Sequence, residues 1–480
     1  MLHWSNGGFS KGVSAIKQYD IVIIGSGPGG YTGGIRAAIK GARVAVVELD
    51  KLGGVCLNRG CIPSKALIAS AAEYQRMKQA ESFGLKLAAP PVYDWLAMRA
   101  RKDKIVGMLT GGIGQLFKSH GVDHYVGFGQ ISGSDYVTVI AEDGTQTRLK
   151  AKSIIVATGS RAASIPGVAV DGHRIVTSDH LLELENLPAS MLIIGAGVIG
   201  CEWAFMLSML DVRVTMVEML AHALPMEDVS TSQQIERELK KLKVDLHTGT
   251  KINKVTPGPQ GVTAELAGGK TVEANQVLVA VGRRFNVEEL GLEEVGVKLN
   301  ENGSIATDEH MKTSVDNIYA IGDVRGEILL AYTAVHDGAV AVDNALGETS
   351  KKNYLGVPSV IFTHPEVASV GMREAEAARE YEIAIGKFPL RTLGKAHAEN
   401  EIAGEVKLIG DKKTDRLLGA HIVGVHATEI IHTAALAIHQ GLTVRQLGSL
   451  IFGHPVISES IMEAAHDLHG MSVHLAKKRK

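Results

Sequence analysis

Cysteine is scarce in this chain, with three among 480 residues. So few cysteines exclude the disulfide framework of a small secreted protein and favour a reducing compartment. Residues 1–18 contain no apolar stretch of the kind that a secretory signal needs, so we expect an N-terminal extension there. No apolar run approaches the roughly 20 residues of a membrane-spanning helix, and we expect a cytoplasmic protein.

Aromatic residues and an excess of one charge are also lacking. Aromatic side chains make up 5% of the sequence and the formal net charge is −2, which gives no sign of a nucleic-acid-binding surface. Glycine, by contrast, is abundant, and its 54 residues suit repeated tight turns between strands and helices. The length leaves room for several domains.

Two of the cysteines, Cys56 and Cys61, lie five positions apart in a glycine-rich segment. On a regular helix that spacing is about 7.5 Å, whereas a disulfide needs Cα atoms closer than about 7 Å, so a bend is required. Gly60 and Pro63 can supply it. A helix that begins near Gly60 would put its positive end beside the sulfurs, which predicts a lowered thiol pKa. The alternative is two buried neighbours without chemistry. Cys201 has no partner in sequence, and we expect a packed core thiol.

A dinucleotide-binding fingerprint precedes the cysteine pair. An apolar strand at 19–24 runs into Gly-Ser-Gly-Pro-Gly-Gly at 25–30, a helix of small residues follows, and a second strand ends at Glu48. Gly25, Gly27 and Gly30 permit the tight turn and the close approach of a pyrophosphate to the helix N-terminus. Glu48 can accept hydrogen bonds from ribose hydroxyls. The strands and the terminal acid make this signal far more specific than the glycines alone.

The same pattern recurs at 191–218. Gly195, Gly197 and Gly200 follow another apolar strand, and the next strand ends at Glu218. A carboxylate there suits the free ribose hydroxyl of NAD and would repel the 2′-phosphate of NADP, although an acid that merely ends a strand is the plainer alternative. Two nucleotide sites and a dithiol predict an electron relay, in which FAD at the first site couples the thiols to NAD at the second.

Six short motifs carry a resemblance to the FAD-dependent pyridine nucleotide–disulfide oxidoreductases, and among them to the dihydrolipoamide dehydrogenases. The cysteine segment at 53–65 is similar to the redox motif of that family, with Arg59 where Val is commoner. The other motifs are Ala-Thr-Gly-Ser at 157–160, Ala-Val-Gly-Arg at 280–283, Ile-Tyr-Ala-Ile-Gly-Asp at 318–323, Phe-Thr-His-Pro-Glu at 362–366 and His-Pro-Val-Ile-Ser-Glu at 454–459. The resemblance covers about residues 19–475.

The resemblance implies an α/β fold with two Rossmann-like dinucleotide-binding domains, for FAD and NAD, and a C-terminal α+β dimerisation domain. The implied order is an FAD-binding domain with the redox disulfide at 19–160, an NAD-binding domain at 161–287, a central domain with the second FAD segment at 288–356, and an interface domain at 357–480. It also implies a homodimer.

Catalytic roles follow from the same resemblance. Cys56 would be the interchange thiol that meets the substrate, and Cys61 would lie against the flavin. Lys65 would lie near the flavin ring and pair with Glu202.

The resemblance makes His454, from the other subunit, the acid–base, and Glu459 the residue that orients it. The chemistry agrees, because a thiol near its usual pKa is mostly protonated at pH 7 and must lose its proton before it attacks. Histidine suits that pH range, and a carboxylate on its far nitrogen fixes the tautomer. From the residues alone, a helix cap at Ser458 is an equally good interpretation.

Cofactor contacts are implied position by position. Those for FAD are Gly25, Gly27, Gly30, Glu48, Lys65, Gly129, Thr158, Gly159, Asp323 and Ala331. Those for NAD are Gly195, Gly197, Gly200, Glu218, Ile252 and Gly282. We expect no metal site, because no cysteine or acid completes a ligand set with His466, His469 and His474, which we expect at the surface.

The function implied is oxidation of a protein-bound dihydrolipoyl group, with electrons passing through the Cys56–Cys61 pair and FAD to NAD+. The partner would be the lipoyl-bearing protein of a 2-oxo acid dehydrogenase or glycine cleavage complex. A glutathione or mycothiol reductase is the open alternative. Mercuric reductase and high-molecular-weight thioredoxin reductase are disfavoured because no cysteine pair lies near the C-terminus. The intact cysteines, His454 and Glu459 argue against a non-catalytic scaffold.

Overall fold

A computed structural model describes residues 16–476 of the chain. Most of the expected extension at 1–18 lies outside the described residues, and the first strand begins at Lys17. The chain divides into two units. The first unit contains the chain up to Ala66, Arg99–Ala162 and Arg283–Asn353, and the second contains Leu67–Met98, Ala163–Gly282 and the chain from Tyr354 onward. The expected domain boundaries lie close to three of these division points and remain predictions.

The described residues form strands and helices of varied length. The strands are β1 (Lys17–Ile24), β2 (Val44–Glu48), β3 (Asp123–Val126), β4 (Phe128–Gly133), β5 (Tyr136–Ile140), β6 (Gln146–Val156), β7 (Ser160–Ala162), β8 (Ile175–Val176), β9 (Ser190–Ile194), β10 (Arg213–Val217), β11 (Asp245–His247), β12 (Ile252–Pro257), β13 (Val262–Leu266), β14 (Thr271–Ala274), β15 (Gln276–Val279), β16 (Arg283–Phe285), β17 (Ile318–Ala320), β18 (Ser359–Ile361), β19 (Val367–Gly371), β20 (Ile383–Pro389), β21 (Glu405–Asp411) and β22 (Leu417–Val423). The helices are α1 (Pro28–Ile39), α2 (Gly54–Asn58), α3 (Cys61–Lys78), α4 (Trp95–His120), α5 (Ser178–Leu181), α6 (Val198–Met209), α7 (Val229–Lys241), α8 (Ala331–Ala345), α9 (Glu374–Glu380), α10 (Gly394–Ala398), α11 (Ala427–His439), α12 (Val444–Gly448) and α13 (Glu459–Leu468). Short 3-10 helices lie at Ala80–Phe83, Gly322–Arg325 and Leu390–Thr392.

A sheet of mainly parallel strands forms the core of the first unit. Its order is β3-β2-β1-β6-β5-β4, with β17 also paired to β6. The pairs that β1 makes with β2 and β6, and that β2 makes with β3, are parallel. Val22, Ile23 and Val46 are fully buried, as expected of parallel strands that are covered on both faces. The β1–α1–β2 succession is the predicted first nucleotide-binding unit.

The second unit contains a matching parallel sheet in the order β11-β10-β9-β15-β8. The succession β9–α6–β10 repeats β1–α1–β2, and its helix is buried on nearly all sides, which its almost wholly apolar sequence dictates. Cys201 in α6 is fully buried and its Sγ donates to the carbonyl oxygen of Ala196 at 3.3 Å. Burial raises the pKa of the Cys201 thiol. The expectation of a packed core thiol is confirmed.

The C-terminal part of the second unit is an antiparallel sheet in the order β18-β19-β22-β21-β20. Apolar residues of β21 and α13 share its core, including Val406, Leu408, Ile461 and Ala464. The predicted fold class, two Rossmann-like units followed by an α+β domain, is therefore confirmed. Among residues 16–476, no helix is long and apolar enough to cross a membrane.

Candidate active site

The two cysteines of the glycine-rich segment lie on consecutive helices. Cys56 is in α2, and Cys61 is the first residue of α3. A Cβ placed on Gly60 would lie 3.3 Å from the Cα of Cys56, so the chain turns tightly there. The predicted bend is confirmed, and Gly60 permits it. Neither thiol forms a disulfide here, the two side chains are hydrogen bonded to each other, and Cys61 is exposed.

The pKa of Cys56 is raised above its usual value. The hydrogen bond with Cys61 is the largest cause and burial of the Cys56 thiol is the second, while the nearby charge of Lys65 lowers the pKa by less. The sequence-based prediction of a lowered thiol pKa is therefore wrong for Cys56. A raised pKa keeps the proton on Cys56 at neutral pH, so a base must remove it before this sulfur can act as a nucleophile.

The three glycines of the first fingerprint play different structural roles. Gly25 has a φ of +104°, and a Cβ there would lie 2.3 Å from the carbonyl oxygen of Ala157. A Cβ on Gly30 would lie 2.0 Å from the carbonyl oxygen of Gly25. Gly27 has an ordinary φ of −61°, and a Cβ there would meet nothing within 4 Å. Open space therefore lies beside Gly27 at the N-terminus of α1, which fits the pyrophosphate of a dinucleotide.

The cysteine segment packs directly on this loop. Gly54 has a φ of +61°, and a Cβ there would lie 2.6 Å from the Cα of Gly27. The N–H of Gly53 donates to the carbonyl oxygen of Ser26 at 3.0 Å. Glycine at both positions thus brings α2, which carries Cys56, against the nucleotide loop.

The second fingerprint repeats this arrangement. Gly195 has a φ of +99°, and a Cβ there would lie 2.4 Å from the carbonyl oxygen of Ala280. A Cβ on Gly200 would lie 2.0 Å from the carbonyl oxygen of Gly195, whereas one on Gly197 would meet nothing within 4 Å. The N-terminus of α6 therefore offers a second open cradle for a dinucleotide.

The acid at the end of each second strand is buried and fixed by its own loop. Glu48 accepts the N–H of Ser26 at 2.8 Å and the N–H of Asp50 at 2.9 Å, one on each carboxylate oxygen. Glu218 accepts the N–H of Ala196 at 2.7 Å and that of Leu220 at 2.8 Å in the same way. Glu48 Oε2 also accepts the Ser26 hydroxyl at 2.6 Å, which fills both of its lone pairs. Glu48 Oε1 and both oxygens of Glu218 keep further acceptor capacity, which fits the proposed contact with ribose hydroxyls.

Asp323 lies in the 3-10 helix Gly322–Arg325. Its Oδ2 accepts the hydroxyl of Ser160 at 2.5 Å, and the Nε of Arg283 donates to that hydroxyl at 2.5 Å. Sequence reasoning missed Ser160 and Arg283, although both end motifs that it had identified.

The remaining positions expected at FAD are spread over the first unit. Thr158 Oγ1 donates to the carbonyl oxygen of Asn286 at 2.6 Å, and Gly159 follows with a φ of +69°. Ala331 is the first residue of α8. Gly129 lies inside β4, where a Cβ would come within 2.8 Å of Ile24 Cγ2, so packing alone requires glycine there. Their contacts with FAD remain predictions.

Two further positions were expected at NAD. Ile252 begins β12 and is buried in an apolar cluster with residues of β13. Gly282 has a φ of +121°, and a Cβ there would meet nothing within 4 Å. Both contacts with NAD remain predictions.

His454 and Glu459 form a hydrogen-bonded pair. The Nδ1 of His454 lies 3.1 Å from Glu459 Oε1, which also accepts the N–H of Val456 at 2.8 Å. The imidazole is 80% exposed, whereas Glu459 is largely covered at the start of α13. Ser458 makes no side-chain cap hydrogen bond, so the helix-cap alternative is wrong. The pair has the arrangement of an oriented base whose Nε2 is presented to solvent.

Lys65 and Glu202 lie in different units. Lys65 is in the second turn of α3, and its positive charge acts on Cys56. Glu202 is buried in α6, and its Oε1 accepts the N–H of Phe362 at 3.0 Å. The predicted Lys65–Glu202 pair remains a prediction.

The C-terminal histidines pair separately with other groups. His474 Nδ1 lies 2.9 Å from the buried Glu463, and His466 Nε2 lies 3.0 Å from the carbonyl oxygen of Gly448. His466 and His469 are half-buried rather than fully at the surface. Within residues 16–476, no group of three or more His, Cys, Asp or Glu side chains could hold a metal ion.

Comparison with protein families gives two matches. The pyridine nucleotide-disulphide oxidoreductase model matches residues 19–338, and the model of the corresponding dimerisation domain matches residues 357–465. Together they span both nucleotide fingerprints, the cysteine pair and His454.

Curated relatives are similar over nearly their whole length. Dihydrolipoyl dehydrogenase of Bacillus subtilis (strain 168) is 40% identical over 95% of this chain and 99% of the relative. The mitochondrial dihydrolipoyl dehydrogenase of Dictyostelium discoideum is 38% identical over 97% of this chain and 98% of the relative.

Solved structures are similar in the same way. LpdA from Mycobacterium tuberculosis has a TM-score of 0.88 and 30% identity, covering 94% of this chain and 100% of that chain. RclA from Escherichia coli, an HOCl-induced flavoprotein disulfide reductase, has a TM-score of 0.86 and 27% identity, covering 94% of this chain and 99% of that chain.

Proposed function

Because the chain belongs to the pyridine nucleotide–disulphide oxidoreductase family, we propose that it oxidises a protein-bound dihydrolipoyl group and passes the electrons to NAD+. The chain is an oxidoreductase that uses FAD and NAD(H), so those predictions are confirmed. One observation carries the proposal: the hydrogen-bonded Cys56–Cys61 pair is packed, through Gly54, on a nucleotide loop that is open beside Gly27. The names of the curated relatives support the dihydrolipoyl substrate.

The substrate half-reaction is a thiol–disulfide exchange. One substrate sulfur, as thiolate, attacks Cys56 Sγ and breaks the Cys56–Cys61 bond, which leaves Cys61 as a thiolate. The second substrate sulfur then attacks the first, closes the lipoyl disulfide and releases Cys56. Two electrons pass from substrate to enzyme, and the two substrate protons go to the base and to the enzyme dithiol.

His454 is the proposed base for these proton transfers, supplied by the second subunit of a dimer. The family match includes a dimerisation domain, which supports that assembly. Glu459 holds Nδ1, so Nε2 is the atom that takes the substrate proton. The same atom removes the proton from Cys56 in the reverse direction, which the raised pKa of that thiol makes necessary.

The open space beside Gly27 and Gly197 supports the proposed binding residues. Gly27 and the N-terminus of α1 would hold the FAD pyrophosphate, with Glu48 at the ribose and Asp323 at the ribityl chain. Gly197 and Glu218 would hold NAD+ at the N-terminus of α6. Bound FAD supplies two-electron transfer between the dithiol and NAD+, so each turnover yields one NADH and one proton.

The physiological partner follows from the substrate. We propose that the dihydrolipoyl group is carried by the acyltransferase of a 2-oxo acid dehydrogenase complex or by the lipoyl protein of glycine cleavage. The cysteine-poor composition and the absence of a spanning helix within residues 16–476 support a cytoplasmic location.

The test is NADH formation by the purified, FAD-loaded protein from dihydrolipoamide and NAD+, beside NADPH-driven reduction of glutathione disulfide. We expect rapid oxidation of dihydrolipoamide with NAD+ alone. The variant Cys61→Ser should keep FAD and lose turnover, whereas Cys201→Ala, which changes the buried third cysteine, should keep both. Activity confined to NADPH and another disulfide would refute the proposal and the assignment of Glu218.

A further inference from the structure

Asp323 is linked to Arg283 through a single buried hydroxyl. Its Oδ2 accepts the Ser160 hydroxyl at 2.5 Å. Arg283 donates from Nε to the same hydroxyl at 2.5 Å and from Nη2 to the Ser160 carbonyl oxygen at 2.6 Å. Ser160 is 2% exposed, so water does not compete for these groups.

Arg283, Ser160 and Asp323 form a hydrogen-bonded line, and the chemistry of their side chains fixes which group donates at each step. A guanidinium has donors and no acceptor, so the Ser160 oxygen must accept from Arg283. The hydroxyl has one hydrogen, which is then directed to Asp323. The direct distance from Arg283 Nε to Asp323 Oδ2 is 3.7 Å, too long for a hydrogen bond. Hydrogen bonds therefore connect Arg283 to the carboxylate through Ser160, and the 3.7 Å ion pair adds a direct charge interaction.

The backbone holds Arg283 and Ser160 in place relative to each other. Ser160 begins β7 and Arg283 begins β16, and these strands pair antiparallel, with Ser160 opposite Phe285 and Arg283 opposite Ala162. Oδ2 of Asp323 is occupied by Ser160, and no group within residues 16–476 donates to Oδ1. The line therefore fixes which carboxylate oxygen remains available to a ligand.

We propose that Arg283 is a positioning residue that, through the Ser160 hydroxyl, orients Asp323 so that Oδ1 receives a ribityl hydroxyl of FAD. The inference rests on the proposed flavin site and is independent of which dithiol the enzyme oxidises. Ser160 and Arg283 form the hydrogen-bonded line to Asp323. Neither residue has a proposed part in thiol exchange.

The expected effect is a loss of FAD affinity. Ser160→Ala removes a hydrogen bond to an ionised group, which should raise the FAD dissociation constant roughly tenfold to a hundredfold. Arg283→Met should do the same. Arg283→Lys keeps the charge but cannot place two donors in the fixed geometry of a guanidinium, so an intermediate loss is expected.

The experiment is FAD titration of each full-length apoprotein, followed by flavin fluorescence, with thermal unfolding of the same apoprotein measured in parallel. Arg284→Met is the matched control, because Arg284 is adjacent, 67% exposed and paired with Glu288 at 3.0 Å. Because Arg283 and Ser160 act in one hydrogen-bonded line, the double variant should lose less FAD affinity than the product of the two single losses. Ser160→Thr keeps the hydroxyl and should restore binding.

Three results would overturn the inference. FAD dissociation constants of Ser160→Ala and Arg283→Met within twofold of wild type would do so. A double variant whose loss is the product of the two single losses would also do so. Lower apoprotein stability with unchanged FAD affinity would show a purely structural role. If Ser160→Ala fails to fold, the FAD dissociation constants of Arg283→Lys and Arg284→Lys are compared instead, and equal values would overturn the inference. Since no thiol substrate is used, failure here is separable from failure of the dihydrolipoamide assay.

Discussion

The proton on Cys56 decides how the reduced cysteine pair can work. Its hydrogen bond with Cys61 and its burial both raise its pKa, and the charge of Lys65 compensates only in part. A thiol in this state is a poor nucleophile at pH 7 without a base. The proposed base is the exposed imidazole of His454 from the second subunit, which Glu459 holds at 3.1 Å.

The variant His454→Gln should lower kcat for dihydrolipoamide oxidation by about 10²- to 10⁴-fold at pH 7, the range of a lost general base. Without the base, the attacking thiolate of the substrate forms only in alkaline solution, because an ordinary thiol has a pKa of about 8.5. The deficit should therefore shrink as the pH rises from about 7 to about 10. Steady-state pH profiles of variant and wild type measure this.

His173→Gln supplies the control, because His173 is exposed in the loop between β7 and β8. It should leave the pH profile unchanged. A deficit of His454→Gln that stays constant over the whole pH range would argue against a proton-transfer role and for a binding role.

At the scale of elements, the glycines of the two strand–loop–helix fingerprints have the same two structural roles. Gly25 and Gly195 have φ values of +104° and +99° and leave no room for a side chain. Gly27 and Gly197 have ordinary backbone angles and open surroundings. The first kind of glycine is required by the fold, whereas the second kind leaves room for a ligand to approach the backbone.

Gly197→Val should therefore fold, retain FAD and raise the KM for NAD+ at least about tenfold, because its side chain would fill the space of a pyrophosphate. Gly195→Ala is the contrasting variant. It places a Cβ 2.4 Å from the carbonyl oxygen of Ala280 at a positive φ, and strain of this kind costs about 1–3 kcal/mol of folding free energy. Steady-state kinetics and thermal unfolding separate the two effects. A Gly197→Val enzyme with an unchanged KM for NAD+ would refute the second nucleotide site.

Elements and fingerprints could be predicted because their signals are local. The apolar strand at 19–24, the glycine turn and Glu48 occur within 30 residues of one another. The sign of the Cys56 pKa shift could not be predicted from the sequence, since it depends on how closely the two thiols approach in space. The Ser160 hydroxyl lies 163 positions from Asp323 and 123 from Arg283, so no periodicity or spacing connects them.

At the scale of the whole molecule, a buried ion pair connects two segments that the sequence assigns to different domains. Lys407 in β21 is 2% exposed, and its Nζ lies 2.7 Å from Asp228 Oδ1 and 2.6 Å from Glu374 Oε2. Asp228 also accepts the N–H of Ser230 at the start of α7, at 3.0 Å. The pair joins positions 179 apart, and sequence reasoning did not detect it.

The pKa of Asp228 follows from this setting. Burial of the carboxylate raises it, but the hydrogen bonds from Lys407 and Ser230 and from the N–H of Glu374 lower it by more. A depressed folded-state pKa means that Asp228 stabilises the fold above its unfolded pKa, near 3.9. That stabilisation is lost as the pH falls through the folded-state pKa.

The variant Lys407→Met should consequently cost about 3–5 kcal/mol of the free energy of unfolding at pH 7, because it leaves Asp228 ionised, buried and without its cation. Lys412→Met is the matched control, since Lys412 pairs with Glu382 at the surface, 3.1 Å away. Its cost should stay below about 1 kcal/mol. Loss of the Lys407 hydrogen bond raises the pKa of Asp228 from its depressed value, so protonation relieves the penalty and the deficit should shrink as the pH falls from about 7 to about 4. Denaturant unfolding at both pH values tests this, and a Lys407→Met protein as stable as Lys412→Met at pH 7 would show that the buried pair does not stabilise the second unit.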